Sequence, residues 1–268
     1  MRHGRQYFLT IFIIIFSQST SLAEQLRTPS VLISGWTKGK YTVDGNGEKS
    51  SSFDKTKINF MEYLETRYEI ITRGDTRFYR IHGISEYFNR HKVEEITIIK
   101  IGEYLIPVSY ETVRKNLNGE IIDKREVRLD DPSWNYPNDL YHLQSFLIIG
   151  LSVAEKYRKE KQKEINFYAW LPDLQKINLI LKVEGEEKIS DSSPPATYIK
   201  IKMIPDIKSV MPVGKFMAPV IMPFVPGIEF WISDKEHVIK KAVGVFGPPG
   251  SPNLIYELTD YRLEAIVN

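Results

Sequence analysis

Residues 92–129 read KVEEITIIKIGEYLIPVSYETVRKNLNGEIIDKREVRL, and the reading of this stretch decides the fold. Apolar and charged side chains alternate through Lys92–Ile101, Tyr104–Arg114 and Gly119–Leu129, the period of a strand with one face buried. Asn118-Gly119 is a hairpin turn because both residues tolerate positive φ. The stretch is therefore an antiparallel meander.

The same period extends in both directions. Upstream, Thr56–Glu65, Arg67–Arg73 and Arg77–His82 mix aromatic and aliphatic residues with charges, and Asp54, Gly74-Asp75 and Gly83 supply turns. Downstream, strands resume at Ile165. Ile177, Leu179, Leu181 and Val183 share one face, as do Ile199, Ile201 and Met203; Ile228–Ser233, Val238–Phe246 and Asn253–Tyr261 complete the set. Glu184-Gly185-Glu186-Glu187 reads as an acidic turn between strands, and Gly247-Pro248-Pro249-Gly250 as another turn. One helix interrupts the series. Asn138 or Asp139 can cap it, and Leu140, Leu143, Phe146 and Leu147 form its apolar face. Around a dozen strands with one principal helix predict a mainly β fold, a large curved antiparallel sheet shaped as a barrel, a half-barrel or a sandwich.

Between Met203 and Ile228 the pattern breaks. Pro205, Pro212, Pro219, Pro223 and Pro226 punctuate Val210, Phe216, Met217, Ile221, Met222 and Phe224, a density of proline that forbids a central strand or a long helix. The segment is an apolar loop. As a static plug it closes one end of the sheet; as a gate it covers a cavity for an apolar ligand.

The N-terminus supplies an address. Arg2 and Arg5 precede the apolar run Tyr7–Phe16, and Ser21-Leu22-Ala23 presents small residues at −3 and −1 of a cleavage site. The expectation is a signal peptide over residues 1–23, cut after Ala23, and a single β-rich domain over 24–268 in the periplasm. Loss of Arg2 and Arg5 leaves 34 basic residues against 34 acidic ones, so charge gives no reason to expect nucleic acid as a partner. The chain contains no Cys, which excludes disulfides, thiol nucleophiles, thiolate metal sites and a lipidated N-terminal cysteine.

Candidates for chemistry are few. Gly150-Leu151-Ser152-Val153-Ala154 imitates a nucleophile elbow, with Asp206 and His237 following in the chain order of α/β-hydrolases, but the strand–helix alternation and the oxyanion glycines of that fold are missing. A serine hydrolase is the third reading. His82, His91, His142 and His237 lack metal-ligand spacing. No catalytic residue, metal or cofactor is expected. Trp231 stands on the strand face opposite Ile228, Phe230 and Ile232, so both faces of that strand call for cover.

The order Tyr104-Leu105-Ile106-Pro107-Val108-Ser109-Tyr110, hairpin, helix, Trp170-Leu171-Pro172, Val183-Glu184-Gly185-Glu186-Glu187 and Glu229-Phe230-Trp231-Ile232-Ser233 resembles uncharacterised exported bacterial proteins whose domain has no assigned function. These are similar in plan to the outer-membrane lipoprotein carrier superfamily, in which a curved antiparallel sheet wraps helices around an apolar cavity. The resemblance implies a Gram-negative envelope location and a lipid or acylated ligand. Phe146 and Leu147 of the helix, Phe216, Met217, Ile221, Met222 and Phe224 of the loop, and Trp231 are the expected ligand-binding residues, and such a role brings transient membrane contact. The alternative is an envelope assembly factor whose strand edges and apolar loop bind another protein.

Overall fold

The computed structural model describes residues 25–44, 61–88, 91–129, 140–142, 145–170, 176–189, 196–206, 227–233, 235–245 and 253–268. The segments expected as a signal peptide (1–23), as the apolar loop (210–225) and as the Gly247–Gly250 turn lie outside them. Thirteen strands occur among the described residues. They are β1 (Val31–Val43), β2 (Met61–Arg73), β3 (Thr76–Tyr87), β4 (Lys92–Ile101), β5 (Leu105–Lys115), β6 (Ile121–Arg128), β7 (Leu140–His142), β8 (Glu164–Trp170), β9 (Lys176–Ile189), β10 (Ala196–Pro205), β11 (Ile228–Ser233), β12 (Val238–Val245) and β13 (Asn253–Val267); the helix α1 (Phe146–Glu160) lies between β7 and β8.

All thirteen belong to one sheet, in the order β6-β5-β4-β3-β2-β1-β13-β12-β11-β10-β9-β8-β7. Every pairing is antiparallel except β7 with β8. Two meanders are thus joined through β1 and β13, the first and last long strands, which is why the chain ends meet in the middle of the sheet. The sheet curls until β5 approaches β7. Among the described residues no ladder joins the outer strands β6 and β7, and the seam is bridged by side chains instead: Tyr110 and Val127 with Leu129 and Tyr168. The sheet is barrel-like without being closed by hydrogen bonds.

Helix α1 fills the concavity. Every residue from Leu147 to Ala154 is buried, and a helix apolar all round belongs inside a domain. It packs on β9 and β11, and Gly150 permits the approach: a Cβ there would lie 2.1 Å from Ile232 Cδ1. Lys161, with φ of 58°, ends the helix by donating its N–H to the Tyr157 carbonyl. The charged tail is solvated, with Lys159 paired to Glu155 and Arg158 to Glu186.

At the end of the sheet where β1 begins, called the lower end here, the segment 26–30 crosses between helix and sheet. Leu105 N–H donates to the Leu26 carbonyl and Thr28 N–H to the Glu103 carbonyl. Ser152 Oγ donates to the Arg27 carbonyl at 2.6 Å, and Ser30 N–H to Glu155 Oε2.

Several sequence expectations are corrected by this arrangement. Leu140 does not start the helix; Leu140–His142 is a short strand and α1 begins at Phe146. The apolar face of 140–147 was therefore two elements read as one. Glu184–Glu187 is not a turn but part of β9, where Gly185 sits in a bulge opposite Lys200 with φ of 139°; glycine permits that φ, so the strand bends and continues. The pieces ending at Glu65 and beginning at Arg67 are one strand, and β1, absent from the sequence reading, occupies the centre of the sheet. The Asn118-Gly119 hairpin forms, with Gly119 at φ of 82°. Asn116 organises it, its side-chain oxygen accepting from the N–H groups of Asn118 and Glu120.

Candidate functional site

The concave face at the upper end carries a cavity of about 70 Å³ lined by Thr37, Tyr41, Leu64, Tyr68, Phe146, Leu147, Ile228, Phe230, Ile239, Ala242 and Tyr256. Register explains its walls. Val183, Ile201, Phe230, Ala242, Tyr256 and Tyr41 are successive cross-strand partners, so they form one row across the inner face. The small Ala242 between Phe230 and Tyr256 leaves the gap, and the first turn of α1 roofs it, with the Phe146 ring stacked 6.0 Å from that of Phe230. Gly39 is required on the other side. A Cβ at Gly39 would lie 2.0 Å from the Tyr256 ring, so only glycine admits that ring, which is tilted 54° to the Tyr41 ring at 5.1 Å.

Farther round the inner face the lining changes character. Tyr68, Ile81, Thr97, Tyr110 and Val127 form one row over β2–β6, and Thr66, Gly83, Glu95 and Thr112 the row above it. Glu95 is buried and accepts a hydrogen bond from the Tyr110 hydroxyl. Burial pushes its carboxyl up to about 7, against the lowering effect of that hydrogen bond. Burial likewise raises Tyr41 far above the ordinary phenol range, with Tyr256, Tyr87 and Tyr68 adding to the effect. Tyr87, raised by burial to about 12, feels Glu95 in turn, and His91 stacks on its ring at 4.5 Å. The phenols of the cavity wall thus run into the surroundings of Glu95.

A larger depression of about 670 Å³ lies on the opposite, outer face of β2–β6, between Arg73, Phe78, Ile98, Lys100, Ile106 and Arg128. It is separated from the interior by the sheet.

The expected ligand residues divide accordingly. Phe146 and Leu147 line the cavity. Phe216, Met217, Ile221, Met222 and Phe224 lie outside the described residues. Trp231 is turned away from the cavity: its indole N–H donates to Glu187 Oε2 at 2.7 Å, and the ammonium groups of Lys200 and Lys241 stand 5.2 Å and 5.7 Å from the ring centre. Cross-strand lysines cover this outer face of β11.

The hydrolase constellation is not assembled. Ser152 is held by the Arg27 carbonyl at the lower end. Asp206 follows β10 at the upper end and accepts from Asn178 Nδ2, whereas His237 lies in the β11–β12 turn at the lower end with φ of 55°. The β10–β11 register separates Asp206 from His237 by about 30 Å along the strands. Among the described residues no group of three or more His, Asp or Glu could hold a metal ion.

The polar patch around Glu95 escaped the sequence reading, although a signal existed. In Lys92–Ile101 both faces carry isoleucine, which hides the parity. Lys100 marks the outer face, so Ile99, Thr97 and Glu95 share the inner one.

No family model matches the chain, and none of the curated proteins matches it. Among solved structures, a β-barrel-like protein of Domain of Unknown Function DUF1849 from Brucella abortus is similar at 11% identity with a TM-score of 0.47, over 87% of this chain and 98% of that one.

Proposed function

We propose that this protein is a non-catalytic binding or carrier protein that takes an apolar group, a lipid or an acylated molecule, into the concave face of its sheet, and that it does so in the periplasm after removal of residues 1–23. The observation that carries the reading is the apolar cavity between the first turn of α1 and the Phe230–Ala242–Tyr256 row. Each methylene buried there gains about 0.8 kcal/mol relative to water, while little is gained relative to a bilayer, so such a ligand can be taken up and returned without an energy source. The cavity has room for about two water-sized groups. An acyl chain therefore enters by parting Phe146 from Phe230.

Mass spectrometry of protein purified without detergent, together with titration of a fluorescent fatty acid, tests it. Co-purifying lipid and saturable binding are expected, and Ala242→Leu, which fills the gap, should weaken that binding severalfold. Absence of both from the parent protein overturns the reading. An envelope partner protein is the second reading, favoured by the outer depression, where cationic Arg73 and Lys100 flank apolar Phe78 and Ile106. Lys100→Glu would then abolish a pull-down that Ala242→Leu leaves intact.

A further inference from the structure

Glu95 stands out because it is the only Asp, Glu, Lys or Arg among the buried described residues, and it lies on the concave face. Its neighbours there are oxygen atoms. Thr97 follows two residues along β4 on the same face, and Ser85 lies diagonally across on β3, since Glu95 pairs with Gly83. Both hydroxyls are 1% exposed and neither has a hydrogen-bond partner among the described residues. Buried hydroxyls are ordinarily satisfied, so a pair of them on the two flanks of a buried carboxyl marks a place where hydrogen-bonding partners are missing. Gly83, directly opposite Glu95, contributes no side chain of its own.

The patch lies on the same inner face as the wall of the apolar cavity. Tyr68, a cavity wall, is two strands from Thr97 through the Tyr68–Ile81–Thr97 row, about 10 Å. Tyr41, another wall, senses Tyr87, and Tyr87 senses Glu95. On the proposal that follows, the polar end of a ligand seated in the cavity is directed past Tyr68 along this row toward Glu95.

We propose that Glu95, with Tyr110, Ser85 and Thr97, is the headgroup site of this interior and selects an amphiphile whose polar end is a protonated amine. This deepens the binding reading above and rests on it. An ammonium carries three N–H donors and no acceptor. It meets the carboxylate with one donor and has others left for the hydroxyl on either flank, while the nearby phenol rings offer cation–π faces. A carboxylate headgroup would face Glu95 with like charge, and an alcohol would forgo the ion pair. The charged and titratable groups around Glu95 are Tyr110 and Arg114 on β5, Tyr87 on β3 and His91 after it. Burial, with Arg114 adding to it, lowers the pKa of His91. Arg114 is exposed at the upper rim. The amine binds the ionised carboxyl, which burial holds near 7, so affinity for it rises as pH rises from about 6 to about 8.

Displacement of a fluorescent acyl probe by dodecylamine, dodecanol and dodecanoate tests this on the intact protein. The amine should displace at roughly tenfold lower concentration than the alcohol at about pH 8, with the advantage shrinking at about pH 6. Glu95→Gln, which keeps the shape, should erase the difference, and Ser85→Ala or Thr97→Val should reduce it. Equal displacement by all three amphiphiles, or preference for dodecanoate, overturns the amine site and leaves the binding reading standing. Failure of the parent protein to bind the probe or any of the three overturns both. The comparison of headgroups on the parent needs no variant, so a Glu95→Gln protein that fails to fold leaves the decision unaffected.

Discussion

The two halves of the sheet's inner face are built differently. On β8–β11 the buried side chains of the inner face are Ile165, Phe167, Leu179, Leu181, Val183, Ile199, Ile201, Met203, Phe230 and Ile232, all without a hydrogen-bonding group, while the buried Asn178, Tyr198, Trp231 and Ser233 alternate onto the other face; α1 rests on β9 and β11 of this half. On β1–β5 the buried set includes Thr37, Thr66, Tyr68, Tyr79, Ser85, Glu95, Thr97 and Tyr110. The first half is a dry core with a helix seated on it. The second is half polar, and each buried hydroxyl or carboxyl there costs stability unless something pairs with it. Stability is therefore expected to reside in the first half and the proposed headgroup selectivity in the second, with the cavity at their junction on the β11–β12–β13–β1 row.

That division can be broken most directly at Phe230. Truncation to Ala removes a ring buried against Phe146 and the helix, and should cost about 3–5 kcal/mol, read as a fall in the denaturant midpoint. A loss below about 1 kcal/mol would show that the dry half is not the stabilising one.

Glu95 tests the polar half with the opposite sign. Its folded carboxyl titrates near 7 against 4.5 when unfolded, so the fold binds the proton more tightly than the unfolded chain does. Stability is complete below about pH 4.5 and is lost as pH rises through about 7, by about 3 kcal/mol. Glu95→Gln should therefore be the more stable protein at pH 8 and equal to the parent at pH 4, as thermal melts at the two pH values will show. A parent that gains stability over this range relative to the variant refutes the assignment.

Two hydroxyl deletions give the smallest effects and the finest contrast. Ser152→Ala removes a bonded hydroxyl and strands the Arg27 carbonyl, costing about 1 kcal/mol with no change in ligand binding. Thr97→Val removes a hydroxyl without a partner and should be neutral or stabilising. Chemical denaturation of both variants decides whether hydroxyls in the polar half are held for stability at all.

Much of the fold was readable from local pattern. The period of two in Lys92–Ile101 and the strands that follow is a property of the backbone pleat, so strand identity, the Asn118-Gly119 hairpin and the antiparallel class were visible in the chain. The apolar run after Ser145 was legible as the helix core. Its start was not, because Leu140–His142 pairs with β8, a long-range ladder that no local period announces. β1 escaped for a related reason: Trp36, Lys38 and Lys40 alternate with Gly35, Thr37 and Gly39, and glycine and threonine face inward only because Tyr256 and Tyr68 cover them from neighbouring strands.

By itself, then, the sequence determined most of the strands, the absence of thiol chemistry and the apolar character of the helix core, since all of these follow from side-chain identity and spacing. Tertiary structure alone decided which face of each strand is inside. That choice turns on pairing register between residues far apart in the chain, and a shift of one residue would exchange Phe230 for Trp231 and Glu95 for Glu94 on the inner face. The register places the indole of Trp231 among lysines, brings Ala242 between two aromatic rings to leave a cavity, separates Asp206 from His237, and puts the Glu95 carboxyl on the inner face near two hydroxyls that have no hydrogen-bond partner among the described residues.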